Sequence, residues 1–256
     1  MKLDKKRILS VAIILAAVLA VLWGGYCNRA MRLSDMAVVS SGESSDKFSD
    51  SASDTDTAGL VGKTEGGFID FESLQTGNQD IYAWITVPGT AVDYPVVQRM
   101  ETEDVYDDYY LNHTVDFVEG YPGAIYSQPV NALGFTDAVT VLYGHNMKDG
   151  SMFGSLHEFR NKDFFDENRT VIIQTPNHTF TYEIFAEVSF SDDLIPYEYD
   201  FSKPEEIRRF LNDIKKCEGN FDESIAATEE DRFLVLSTCF AEEESMRFLI
   251  VAVLEG

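Results

Sequence analysis

Cysteine is scarce in this chain: Cys27, Cys217 and Cys239 are the three among 256 residues. So few exclude a disulfide framework, although a single Cys217–Cys239 pair stays open. Histidine is nearly as rare, with four residues. No second Cys or His lies close in sequence to Cys239 or His145, so the three or four spaced ligands of a zinc site are missing. Positive charge is also thin, with 20 Lys and Arg against 44 Asp and Glu and a net charge of −24. Nucleic-acid binding rests on Lys and Arg neutralising phosphates, so that class of partner is excluded. No metal or organic cofactor is expected.

Charge is absent altogether from Ile8 to Cys27, after the basic start Met1-Lys-Leu-Asp-Lys-Lys-Arg7. A bilayer span needs about 20 apolar residues, so residues 8–27 are expected to be a transmembrane signal anchor. Residues 1–7 would then face the cytoplasm and the rest would be extracellular, by the positive-inside bias. A cleaved leader would carry a shorter apolar core and a small-residue site, which Trp23-Gly-Gly-Tyr26 does not supply. Residues 28–67 are rich in Ser and Asp and have little to bury, which predicts a flexible acidic stalk. Residues 68–256 remain as one domain with a real core.

Within that domain, period-2 and short apolar runs predict eight strands. They are Ile81–Val87, Tyr94–Val97, Gly123–Tyr126, Val139–Tyr143, Thr170–Gln174, Thr179–Val188, Arg232–Ser237 and Arg247–Val253. Many short strands with few helices predict a mainly β barrel or sandwich. A helix is expected over Lys203–Cys217, opened by the capping-box pattern Ser202-Lys-Pro-Glu205 and closed near Gly219. Its Ile207, Phe210, Leu211 and Ile214 share one face. A shorter helix from Asp70 would turn Phe71 and Leu74 inward.

Three of these runs end or begin with reactive groups. Val139–Tyr143 leads into Gly144-His145-Asn-Met-Lys148, Arg232–Ser237 leads into Thr238-Cys239, and Arg247 opens the last strand. Each residue alone has an ordinary explanation: a satisfied His, a buried thiol, a surface charge. Together, thiol, imidazole and guanidinium at strand ends supply a nucleophile, a proton shuttle and an anion-stabilising donor. Acyl transfer is therefore the leading chemistry. Cys217, expected on the helix, reads as a small packed hydrophobe.

These islands resemble the sortases, Gram-positive cell-surface cysteine transpeptidases, and among them class B. The likeness runs in collinear order from Asn78-Gln-Asp-Ile-Tyr-Ala-Trp-Ile-Thr-Val-Pro-Gly-Thr90 through Leu142-Tyr-Gly-His-Asn-Met-Lys148 and Gly150-Ser-Met-Phe153 to Leu236-Ser-Thr-Cys239 and Arg247. The order His, Cys, Arg is unlike a papain-type protease, and the long His145-to-Cys239 interval resembles class B. The resemblance implies an eight-stranded sortase-type β-barrel with an N-terminal helix and a long helix between the late strands. It implies Cys239 as nucleophile, His145 as acid and base, and Arg247 as oxyanion or substrate donor. Tyr143, Ser237, Thr238, Leu111 and Asp107 match substrate-groove positions; Asp107 stands where the family often has Asn, and Phe240 where an acidic residue is common. The implied partners are secreted proteins with a C-terminal sorting signal, cleaved after Thr, and an amine of peptidoglycan or its precursor. The alternatives are a pilin-polymerising enzyme with a Lys acceptor and, from another class, an inactive membrane-tethered binding module.

Overall fold

Strict alternation in the late strands decides the architecture. In Phe233–Cys239, Leu234 and Leu236 join one buried cluster while Phe233 and Val235 join another, as a strand between two apolar layers must do. The computed structural model describes Lys63, residues 68–239 and residues 245–256. Among the described residues nine strands form: β1 Ile81–Thr86, β2 Asp93–Val97, β3 Ile125–Tyr126, β4 Val139–Tyr143, β5 Thr170–Gln174, β6 Thr179–Ser191, β7 Gly219–Phe221, β8 Phe233–Cys239 and β9 Met246–Leu254. Eight close a ring in the order β1-β2-β3-β4-β8-β9-β6-β5, with β5 pairing back to β1. The ring is the expected eight-stranded barrel, and closure removes the free edges a sheet otherwise exposes.

All eight ring strands send side chains into one cluster, from Ala83, Val96, Ile125 and Leu142 to Val171, Ile184, Leu236 and Phe248. That cluster is the barrel interior. The outer faces of β4, β6, β8 and β9 are covered by the helix Pro204–Ile214, whose Ile207, Phe210, Leu211 and Ile214 are buried. On the other side, the helix Phe71–Gly77 is capped by Asp70, whose Oδ1 accepts from Ser73 N at 3.0 Å.

Several local expectations need correcting. The long helix starts from Lys203 without a side-chain cap, and the Ser202 hydroxyl donates to Asp200 instead. A missing cap costs about 1 kcal/mol, whereas each fully buried apolar side chain contributes about 1.5–3 kcal/mol, so packing holds this helix. It ends at Ile214, so Cys217 lies beyond it. Gly219 does not stop the helix but opens β7, a strand the apolar pattern does not reveal. β7 takes over the edge of β6 where β5 ends, and a Cβ at Gly219 would stand 1.8 Å from the Glu187 carbonyl oxygen.

The membrane location is also corrected: among the described residues, no helix is long and apolar enough to cross a membrane. The expected anchor, residues 8–27, and all of the expected stalk except Lys63 lie outside the described residues, as does Phe240.

Two outcomes follow from this packing. Gly219→Ala should lower stability by about 1–3 kcal/mol, read as a fall in the urea midpoint. Asp93 gives a pH signature. Burial alone would raise its pKa, but hydrogen bonds from Lys63, Trp84 and Thr86, with the Lys63 charge, outweigh that and hold it below the ordinary value. A depressed folded-state pKa stabilises above the unfolded value of about 3.9 and is lost as pH falls through the folded value. The stability gap between wild type and Asp93→Asn should therefore be present at pH 7 and close below about pH 4.

Candidate active site

The site is set by register. β4 and β8 run parallel with Tyr143 opposite Ser237, and Gly144 N extends the ladder to Ser237 O at 3.2 Å. Two residues further along each strand come His145 and Cys239. On the other side of β8, antiparallel β9 places Arg247 directly opposite Cys239. Neighbouring strands lie about 4.8 Å apart, so Cys239 stands between the chain positions of His145 and Arg247, and all three line one cavity. Cys239 and Arg247 continue the outer face of Val235 and Leu249, beyond the cover of the long helix. Cys239 is exposed and unpaired with Cys217. Cys217 is half-buried, donates to Asp213 O at 3.3 Å, and has its thiol pKa pushed up by burial.

A main-chain carbonyl orients the imidazole. His145 Nε2 lies 2.8 Å from Leu111 O. A carbonyl can only accept, so this nitrogen carries hydrogen and Nδ1 is the ring nitrogen left outside that bond. The ring also packs against Tyr121 at 4.5 Å. The Leu111 carbonyl can stand there because the nearby chain contains Gly123, at φ +69, where a Cβ would approach it to 2.4 Å. Leu111, matched as an apolar groove contact, thus contributes its main chain as well.

A cavity of about 390 Å³ opens beside the thiol, lined by Leu111, Tyr143, His145, Ser237, Thr238, Cys239 and Arg247. A neighbouring cavity of about 440 Å³ is larger but touches none of the three reactive groups, so the chemistry assigns the smaller one. Asp107 is not in its wall: its carboxylate accepts from Tyr109 N at 2.9 Å, and Asp108 lines the cavity instead. Ser237 and Thr238 are both buried, and Thr238 alternates to the interior face, its Oγ1 without a hydrogen-bond partner among the described residues. Tyr143 packs on Tyr126 at 5.3 Å, and burial pushes both phenols well above their ordinary pKa.

Some of the wall was not anticipated. Asp192 to Ile195 line the cavity because β6 runs on to Ser191 rather than ending at Val188. Continued alternation through Phe190 is the signal that reveals it. The Cys239 carbonyl accepts from Asn146 Nδ2 at 3.1 Å and from His157 Nε2 at 3.3 Å. Among the described residues, no group of three or more His, Cys, Asp or Glu is placed to hold a metal ion.

Residues 85–255 match the family model described as the sortase domain. The chain is 31% identical over 175 residues to Sortase B of Listeria monocytogenes, covering 68% of this chain and 69% of that one. It superposes on the X-ray structure of Clostridium perfringens Sortase B with a TM-score of 0.65 and 29% identity, covering 73% of this chain and 100% of the other. A Streptococcus pyogenes class B sortase described as involved in pilus biogenesis gives a TM-score of 0.60 at 30% identity, covering 73% and 98%.

The Tyr143 hydroxyl is buried without a hydrogen-bond partner among the described residues. An unsatisfied buried hydroxyl costs about 1–3 kcal/mol, so Tyr143→Phe should leave thermal stability unchanged or raise it, as scanning calorimetry would show.

Proposed function

This chain belongs to the sortase family of cysteine transpeptidases, in class B, and from that membership we propose that it cuts a C-terminal sorting signal after Thr and joins the protein to an amine of peptidoglycan or its precursor. The observation that carries the proposal is the register that sets Cys239 between His145 and Arg247.

In the proposed reaction, the Cys239 thiolate attacks the threonine carbonyl carbon and a C–S bond forms. His145, as imidazolium, gives its proton to the departing amine as the peptide C–N bond breaks, leaving a thioacyl-enzyme. The acceptor amine then attacks, loses its proton to His145, and forms a new C–N bond as the C–S bond breaks and thiolate returns. Arg247 supplies fixed donors to the oxyanion or to the substrate backbone. The cavity's Leu111, Tyr143, Leu194 and Ile195 offer apolar contact for the signal, with Asp108 and Asp192 as its acidic edge. The relative described as involved in pilus biogenesis supports a second reading in which the acceptor is a lysine side chain.

The test is cleavage of a fluorogenic sorting-signal library by the full chain, with oligoglycine, a diaminopimelate-type amine or a lysine peptide as acceptor. Cleavage of one motif and transfer to an amine should be abolished in Cys239→Ala, and Arg247→Ala should lower kcat by about 10²–10³-fold. Which amine is conjugated separates wall attachment from lysine joining. A folded chain that cuts no peptide and resists thiol alkylation at Cys239 would sink both.

A further inference from the structure

The excursion that leaves β4 with His145 returns to the nucleophile twice. It folds tightly on itself: Phe153 N donates to His145 O at 3.0 Å, and Asn146 bridges Met152. A Cβ at Gly154 would stand 2.4 Å from Met147 O, so the turn closes at that distance because glycine occupies it. A 3-10 helix, Gly154–Arg160, then carries His157 back towards β8. Its ring stacks on Phe248 with centroids 4.2 Å apart and planes at 26°. Phe248 is fully buried and is the cross-strand partner of Thr238.

Both ends of this excursion meet one atom. Asn146 Nδ2 and His157 Nε2 approach the Cys239 carbonyl oxygen at 3.1 and 3.3 Å. A carbonyl has two lone pairs, and two side-chain donors fill them. Cys239 ends β8 and pairs with Arg247 in the last rung of the ladder, so the strand alone leaves the direction of its carbonyl weakly determined.

We propose that Asn146 and His157 are positioning residues: together they clamp the Cys239 main chain and thereby aim Sγ. The clamp also locks nucleophile to proton shuttle, since Asn146 is the residue next to His145. The inference rests on the transpeptidase reading and assigns neither residue any contact with substrate.

Substitution separates donor from packing. His157→Phe keeps a ring against Phe248 but has no donor, whereas His157→Gln keeps a donor near the Nε2 position. A misplacement of about 1 Å costs about 10²-fold in rate. Asn146→Ala and His157→Phe should each lower kcat for peptide cleavage by about 10-fold, and the pair by about 10²-fold. KM and the rate of Cys239 alkylation by a small reagent, which needs no alignment, should not change. His157→Gln should keep most of the activity. Selective labelling of the Cys239 carbonyl carbon adds a direct readout: its 13C resonance should move upfield in Asn146→Ala and His157→Phe.

An unmoved resonance, or a double variant as fast as an active wild type, would overturn the clamp and leave the transpeptidase reading standing. Equal losses in His157→Gln and His157→Phe would also overturn it, by tracing the effect to something other than the donor. A wild type that cuts no sorting peptide while the resonance still responds would instead remove the transpeptidase reading, and the positioning role with it.

Discussion

The parallel contact between β4 and β8 is the constraint on which the site depends. Most of the barrel is antiparallel, yet here two strands run side by side in the same direction, with Tyr143 level with Ser237. Their ends therefore point the same way, and the residues that follow emerge together. β9 then meets β8 from the other side with Arg247 opposite Cys239. A slip of one residue in either pairing would turn the thiol or its partner to the opposite face. Parallel neighbours cannot be joined by a tight hairpin. The chain accordingly lays down β5, β6, the long helix and β7 between His145 and Cys239, and the wide sequence gap between the two is a product of topology.

The supports around this centre are mostly neutral main-chain groups. Leu111 O holds the His145 ring, and the Cys239 carbonyl takes hydrogen bonds from Asn146 and His157. Carbonyls orient rings and fix which nitrogen bears hydrogen without adding charge. In a chain with a net charge of −24, aiming by neutral dipoles keeps the local geometry separate from the overall excess of carboxylates.

What was legible in the sequence follows from this. The eight ring strands announce themselves through alternation or, as for β3, a short apolar run, because each packs one face inward. β7 does not, since Gly219-Asn-Phe221 is too short for any period and its glycine resembles a helix stop. His145, Cys239 and Arg247 are readable because their chemistry is unusual at strand ends. Leu111 as a carbonyl acceptor for His145, and Asn146 and His157 as donors to the Cys239 carbonyl, are not: their contacts span 34, 93 and 82 residues and involve backbone atoms that carry no side-chain signature. Asp107 and Asp108 are adjacent acids of the same type, and a turn, not a pattern, decides which one faces the cavity.

β6 has one further role. At 13 residues it is the longest strand among the described residues, and it stays paired with β9 as far as Ser191 opposite Met246. Its last pleats carry Asp192 to Ile195 up beside the thiol. The strand is thus a ruler for the depth of the groove. Each added pair of residues would raise that wall by about 6.5–7 Å, while a single addition would invert it and turn Leu194 outward. An odd addition would leave the wall's facing unchanged only where a register shift absorbs it, as one already does between Ile184 and Ala186, so the pairing of β6 with β9 sets which residues stand beside Cys239 and Arg247.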